Sequence, residues 1–448
     1  MHHPLSVVVL AAGKGTRMNS QKPKVLHEIV GMPLIFHVTE AIKPLMPKQL
    51  IVVISPEQEA VKAAVKSAVF QVQEKPLGTG DAVKAALGGF NKLSGTVLIV
   101  FGADPLITTE TLKRMVLARE CSNPPDVVVL GFKTDNPDRY GRLVQDHNGR
   151  LEKIVEVSEA HKIDKPVELF NAGVMAVDAA KITNFLEALN PENGKKEYYL
   201  TDIVGIALNK GGYATVVLGE ESETLGVDSR ADLARAEVLM QRRLRQTMLK
   251  NGVTLVCPET VFLSYDTVIG RDSVIHPHVV IGKDVEIGEG VEIKSFSHLE
   301  GTIIHDDAVI GPYARLRPGA EIKQNARIGN FVEIKKAIIG HGAKVNHLSY
   351  VGDATVGQNA NIGAGTITCN FDGVSKYHTK IGDGAFIGSN TALVAPVEIG
   401  QNAIIGAGSI ITKSVAPNAL SVVRGELKEI VNGAVRFWAK RQRPTKRD

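Results

Sequence analysis

Up to about residue 227, short apolar runs alternate with longer amphipathic stretches. Residues 7–10, 51–54, 97–100 and 127–130 are unbroken β-branched runs of strand length, whereas 33–45 and 79–87 place their apolar positions at helical spacing. The alternation predicts βαβ units. Strands buried on both faces carry continuous apolar rows, and open sheets of this type hold ligands in the loops after their strands. Each run here ends at a Gly- or Pro-bearing loop. In residues 229–250, Leu233, Ala236, Leu239, Met240, Leu244 and Met248 recur at helical spacing among arginines, and Asn251-Gly252 supplies a stop. This segment is read as a linker helix.

The pattern changes after Val253. Aliphatic-glycine pairs recur, with steps of 12 and 6 between Gly270, Gly282 and Gly288, and of 6, 12 and 6 between Gly382, Gly388, Gly400 and Gly406. A six-residue period builds one flat face of a β-helix per hexapeptide, with the aliphatic side chain inside and a Gly or Asn at the turn. The register breaks at 294–309 and 366–380, and each break is expected to hold a projecting loop. The predicted organisation is an α/β Rossmann-like domain over 1–228, a linker helix over 229–250 and a left-handed parallel β-helix with a C-terminal tail over 251–448.

Composition narrows the partners. Fifty-two Lys and Arg against 48 Asp and Glu give a net charge of +4 over 448 residues, too little for a general nucleic-acid footprint. Cys121, Cys257 and Cys369 are far apart and match neither metal-ligand spacing nor a disulfide framework, so no zinc site and a reducing compartment are expected. The first residues lack the charged and apolar regions of a leader, and no apolar run has membrane length. A cytoplasmic protein with no membrane or nucleic-acid partner is expected.

The first chemical signal is Leu10-Ala11-Ala12-Gly13-Lys14-Gly15-Thr16-Arg17-Met18, followed by Pro23-Lys24. Gly13 and Gly15 let backbone amides approach an anion, and Arg17 and Lys24 can neutralise phosphate charge. Met18 stands where a dinucleotide fingerprint has its third glycine, and the Gly-Lys-Ser/Thr ending of a P-loop is missing. A plain strand-to-helix turn is the other reading.

This segment resembles the signature of sugar nucleotidyltransferases. The resemblance makes Leu10, Ala11, Ala12, Gly13 and Lys24 part of the nucleoside triphosphate site and Arg17 a catalytic cation. Gln73, with Leu77-Gly78-Thr79-Gly80, looks like the family's base-reading segment; Gly141, Glu156 and Asn171, in Tyr140-Gly141-Arg142, Ile154-Val155-Glu156 and Asn171-Ala172-Gly173, look like its sugar-binding strands. The family sets a metal-binding Asp directly after a Gly, but this chain reads Phe101-Gly102-Ala103-Asp104-Pro105. Asp104 stands one residue late, and in an extended segment it would point away from the metal. Asp228 falls where the family has an Asn ligand; a hard cation accepts either oxygen, while capping the following helix is an equal alternative. The implied ion is Mg2+, held by Asp104 and Asp228 or with reduced affinity.

A second polar cluster interrupts the β-helix: Arg315-Leu316-Arg317-Pro318-Gly319, Asn330 to Lys336, His347 to Gly352, Asn361 to Gly365, and Cys369 to Gly373 with Lys376. Arg317, Lys335 and Lys376 supply phosphate-binding charge, and His347 is suited to take a proton near neutral pH. Across nearly its whole length the chain resembles the bacterial family that joins N-acetylglucosamine-1-phosphate uridylyltransferase to glucosamine-1-phosphate acetyltransferase. That resemblance implies UTP and acetyl-CoA as co-substrates and products that feed peptidoglycan and lipopolysaccharide precursors. It makes His347 the general base toward the sugar amine, Asn370 its orienting partner and Ser389 the oxyanion donor. It assigns Arg317, Lys335, Tyr350, Asn361 and Lys376 to the sugar phosphate, and Ala364, Asn370, Phe371, Ser389, Ala407 and Arg424 to acetyl-CoA. Position 371 is Phe where the family usually has Tyr. The family also implies a homotrimer with acetyl sites at subunit interfaces. The tail, with Lys440, Arg441, Arg443, Lys446 and Arg447, reads as CoA-attracting or simply as a basic end. A related nucleotidyltransferase whose β-helix only oligomerises, and a non-catalytic scaffold, are the competing readings.

Overall fold

The computed structural model describes residues 4–163, 167–193 and 196–441. It divides into two compact units, residues 1–246 and 247–448.

The first unit is built on a nine-stranded sheet: β1 Leu5–Leu10, β2 Gln49–Ile54, β3 Val69–Val72, β4 Thr96–Phe101, β5 Val127–Phe132, β6 Arg142–Gln145, β7 Leu151–Val155, β8 Phe170–Asp178 and β9 Ala214–Leu218. Their spatial order is β3-β2-β1-β4-β8-β5-β9-β7-β6. The first four are parallel, and β8 runs antiparallel between β4 and β5. Helices cover both faces, as the continuous apolar rows require. Val7, Val9, Val52 and Leu98 meet α1 (Leu34–Ile42) and α4 (Thr109–Arg119); Val8, Leu10, Ile51 and Ile99 meet α3 (Thr79–Leu87), α5 (Ile182–Glu187) and α6 (Ile203–Asn209). Because β8 is reversed, its start lies at the same sheet end as the ends of β1 and β4. The helix α7 spans Arg230–Lys250.

The second unit is a parallel β-helix with three faces. Ten strands make the first face; fourteen make the second and third, joined where Glu333–Ile339 and Tyr350–Val356 turn a corner without leaving the ladder. Interior positions are aliphatic or small, such as Ile293, Ile310, Ile328, Val345, Ile362 and Ile387 on successive coils. The expected loop at 294–309 is absent: Glu292 pairs with Val309, Val274 with Glu292, so that coil is one residue shorter than its neighbour and still closes. The second break does hold a loop. Asn361 pairs with Phe386, 25 residues on, and the excess lies between Ile367–Cys369 and Thr379–Ile381.

Two corners carry the polar cluster. At the corner between the first and second faces, one residue per coil takes a left-handed conformation and donates its N–H to the coil before: Phe331 to Tyr313 O, Leu348 to Asn330 O, Gly365 to His347 O, Asn390 to Ala364 O and Gly408 to Ser389 O. His278, Phe296, Tyr313 and Phe331 fill that position on four coils, their rings stacked at 4.9, 4.9 and 5.2 Å. Bulky residues with positive φ are uncommon and strained. Here ring stacking offsets the strain.

Candidate active sites

In the first unit, Leu10, Ala11 and Ala12 are buried at the end of β1, and the chain surfaces at Gly13. Gly15 has φ +62, and a Cβ there would stand 2.7 Å from the Lys24 Cβ, so only glycine lets the loop close on Lys24. Lys24 Nζ donates to Asp228 Oδ1 at 2.8 Å, and the Arg17 guanidinium meets Asp228 Oδ2 at 2.9 Å. Burial pushes the Asp228 carboxyl up, but Lys24, with Arg17 and Arg139 behind it, holds it below the usual carboxylate range.

Asp228 does not cap α7. Ser229 does: its Oγ accepts from Asp232 N at 3.2 Å while Asp232 Oδ2 accepts from Ser229 N at 2.9 Å, a reciprocal capping box. Arg139 grips the buried Asp232 through two N–H groups at 2.5 and 3.0 Å and, with Ser229, depresses its carboxyl far below normal. The helix start is thus satisfied without Asp228, which stays free for Arg17 and Lys24.

Asp104, one residue late in sequence for the metal, does not sit in an extended segment. The chain does not remain extended after β4: Asp104 N donates to Phe101 O at 3.2 Å, Ile107 N to Asp104 O at 3.3 Å, and Ala103 is buried with its carbonyl accepting from Val227 N at 2.9 Å. That turn aims Asp104 Oδ1 at Gly226, where an added Cβ would stand 3.1 Å away. Burial raises the Asp104 carboxyl to about 7, with Lys24 opposing and Asp228 adding to the rise. Two carboxylates and a lysine therefore share one neighbourhood, and one of the acids lacks enough positive charge to ionise freely. Among the described residues no group of three or more His, Cys, Asp or Glu gathers as a complete cage. Mg2+ characteristically takes one or two carboxylates and completes its shell with water and substrate phosphate, so the donor set fits it.

The remaining predicted contacts lie at the same sheet end. Gly78 has φ +111, and a Cβ there would meet the Tyr198 backbone at 2.6 Å. Gln73 Nε2 donates to Gly78 O at 3.0 Å and Asp81 Oδ2 at 2.8 Å, and Thr79 Oγ1 accepts from Leu200 N at 3.0 Å, which fixes the segment internally. Asn171 N donates to Gly141 O at 2.8 Å and its Oδ1 accepts from Gly173 N at 2.9 Å, while Glu156 Oε1 accepts from Thr201 at 2.9 Å.

In the second unit the predicted residues fall into two groups. His347, Ala364, Ser389 and Ala407 lie in the column of the first corner, and Arg424 Nε donates to Ala407 O at 2.8 Å. The bulky ladder ends at Leu348, and Gly365, Asn390 and Gly408 continue the corner with smaller residues. Arg317, Lys335, Asn370 and Lys376 lie at the next corner, between the second and third faces. Arg317 pairs with Glu333 at 2.7 Å, and Asn370 Nδ2 donates to Asp353 Oδ2 at 2.5 Å. Hydrogen bonding to Lys376 and its charge, with Arg317 adding, hold the Lys335 ammonium below its ordinary value. Such a cluster of cations is short of an anion. Tyr350 lies on the second face, its hydroxyl over Gly352, where a Cβ would collide with it. Asn361 is on the first face beside Lys344. Phe371 is 58% exposed on the loop. Lys440 and Arg441 end the helix Gly433–Arg441; Arg443, Lys446 and Arg447 lie outside the described residues.

The structure does not bring the two corners together within one chain. Five residues, 348–352, lie between His347 and Asp353, the partner of Asn370, a span of up to about 20 Å at about 3.3 Å per extended residue. Sequence reasoning passed over Asp353, Glu333 and the hydrogen bond between Asn330 and His347. Asn330 with His347 and Asp353 with Asn370 are each 17 residues apart, one coil, a spacing that would have flagged both pairs.

Family comparisons agree with this architecture. A model of the MobA-like NTP transferase domain matches residues 7–177; the bacterial transferase hexapeptide model (six repeats) matches 266–301 and 378–413; the GMPPB C-terminal domain model matches 298–372. The hexapeptide match makes the coil a left-handed parallel β-helix. The chain is similar to "Bifunctional protein GlmU" of Paramagnetospirillum magneticum at 50% identity, covering 97% of each chain. The protein of the same name from Rhodospirillum rubrum is 52% identical over 98% of each chain. The Roseobacter denitrificans counterpart is 48% identical over 98% of this chain and 99% of its own.

Proposed function

Starting from the chain's membership of the bifunctional GlmU family, we propose that it is a two-site cytoplasmic enzyme making UDP-N-acetylglucosamine. The second unit transfers acetyl from acetyl-CoA to the amine of glucosamine 1-phosphate. The first then transfers uridylyl from UTP to the N-acetylglucosamine 1-phosphate, releasing pyrophosphate. The observation that carries the reading is the pair of charge clusters: Asp104 and Asp228 with Lys24 and Arg17 in one unit, and Arg317, Lys335 and Lys376 in the other, where Lys335 and Lys376 crowd each other. Both suit a phosphorylated substrate.

At the first site the Gly13 and Gly15 loop cradles the triphosphate, and Arg17 and Lys24 exchange their contacts with Asp228 for phosphate oxygens. Asp104 and Asp228 would hold Mg2+, which would supply positive charge to neutralise the triphosphate and the leaving pyrophosphate. Gln73 and Thr79 read the base, and Gly141, Glu156 and Asn171 hold the sugar.

At the second site Arg317, Lys335 and Lys376 bind the sugar phosphate, with Tyr350 and Asn361 on the flanking faces. Asn370, its amide nitrogen committed to Asp353, turns its oxygen to the sugar amine. His347 takes the amine proton as nitrogen attacks the thioester carbonyl, and the Ser389 hydroxyl donates to the developing oxyanion; collapse of the tetrahedral adduct breaks the C–S bond and expels CoA as a thiolate, which takes up the proton from His347. Acetyl-CoA runs down the first corner past Ala364, Ala407 and Arg424. Since one chain holds His347 and the cation cluster at different corners, a copy of the chain beside it supplies the missing half, as in the homotrimer implied by the family.

The test measures pyrophosphate release from UTP and N-acetylglucosamine 1-phosphate across a magnesium titration, and acetyl-CoA consumption with glucosamine 1-phosphate, on one sample. Both activities are expected. Acetyl transfer without pyrophosphate release would leave a one-site acetyltransferase.

A further inference from the structure

We propose that Asn330 is a positioning residue for acetyl transfer, holding His347 as the Nδ1–H tautomer so that Nε2 presents its lone pair to the sugar amine. The inference rests on the reading of His347 as general base. Asn330 and His347 are register partners on adjacent coils, and Asn330 Oδ1 stands 2.7 Å from His347 Nδ1. An amide oxygen only accepts, so the proton of a neutral imidazole lies on Nδ1 and the base is Nε2. The opposite amide orientation would donate to Nδ1, leave Nε2 protonated and remove the lone pair that the reaction needs.

The backbone holds the pair in place. Asn330 O accepts from Leu348 N at 3.0 Å, and His347 O accepts from Ser349 Oγ at 2.8 Å and Gly365 N at 3.3 Å. At Gly329, just before Asn330, a Cβ would collide with the Asn346 carbonyl, so the coils approach more closely here than any other residue allows. Asn330 and His347 line a cleft of about 420 Å³ with Tyr313, Phe331 and Asn346, where a substrate amine has access. An uncharged acceptor suits the role: it fixes the ring, whereas a carboxylate would hold the proton on the imidazole and slow its release.

The experiment compares Asn330→Ala, Asn330→Asp and His347→Ala in the full chain, with uridylyl transfer as folding control. For Asn330→Ala, kcat of acetyl transfer is expected to fall roughly 10- to 100-fold with KM for glucosamine 1-phosphate nearly unchanged. Asn330→Asp keeps the acceptor, so kcat recovers at high pH while the acid limb of the kcat/KM profile moves upward. If Asn330→Ala raises only KM, or Asn330→Asp is as slow as Asn330→Ala with an unmoved limb, Asn330 merely packs the corner and the proposal fails. Full acetyl transfer in His347→Ala would instead overturn the base assignment itself, and the inference with it.

Discussion

A one-residue displacement in sequence becomes a small difference in space when the backbone turns. Asp104 stands one residue late for the metal, and in a fully extended segment it would face the other side; the turn from Phe101 to Ile107 removes that alternation. The position was legible in the sequence, and its orientation was not, because it depends on hydrogen bonds that no residue pattern announces. Asp104→Asn should lower uridylyl transfer by on the order of 10²-fold and leave acetyl transfer unchanged; an unchanged rate would show that Asp104 is no ligand. A pH effect accompanies this. With a native value of about 7 against 3.8 unfolded, Asp104 binds a proton in the folded state through that window. Metal-free protein should therefore lose stability as pH rises from about 4 to about 7 and level off above that, and the loss should be smaller in Asp104→Asn by roughly 2–4 °C in melting temperature at pH 8. Melting curves in chelator at pH 5 and pH 8 decide it. Asp232 has the reverse sign: its depressed carboxyl stabilises the fold above the usual carboxylate range and loses that contribution on acidification. Replacing it by Ala removes the capping contact to Ser229 and leaves Arg139, 42% exposed, to solvent, and should cost about 1–3 kcal/mol, read by denaturant unfolding.

At the scale of elements, periodicity carried most of the information. Continuous apolar runs gave the strands of the sheet, and the six-residue step gave the β-helix, because both patterns follow directly from which side chains face inward. Register breaks were less informative: a break at 294–309 is one deleted residue and a break at 366–380 is a real loop, and the glycine spacing alone does not separate them. Nor did it reveal the aromatic ladder, since left-handed corner positions normally take Asn, Asp or Gly, as Asp272, Asn325 and Asn359 do. The ladder exchanges backbone comfort for stacking. Tyr313→Asn relieves strain of about 1 kcal/mol but removes two ring contacts of about 0.5–1.5 kcal/mol each, so a net loss of stability is expected. A thermal melt that rises in this variant would mean that the rings contribute little beyond filling space.

For the whole molecule, the decisive feature is that His347 and the Arg317, Lys335 and Lys376 cluster, to which acetyl transfer is proposed to belong, lie at different corners of the coil. The motifs suggest the residues but not which copy of the chain each serves from, because a sequence does not distinguish two corners of one copy from corners of neighbouring copies. The most direct test co-produces two differently tagged chains, His347→Ala and Lys335→Ala, and isolates assemblies containing both. Each variant alone should have little acetyl transfer. If a site takes His347 from one copy and the Lys335 corner from another, the isolated mixed trimers should regain about one third of their sites, one interface in three pairing the two intact residues. Mixed assemblies no more active than either parent would contradict the shared site and require His347 and the cation cluster to act within a single chain.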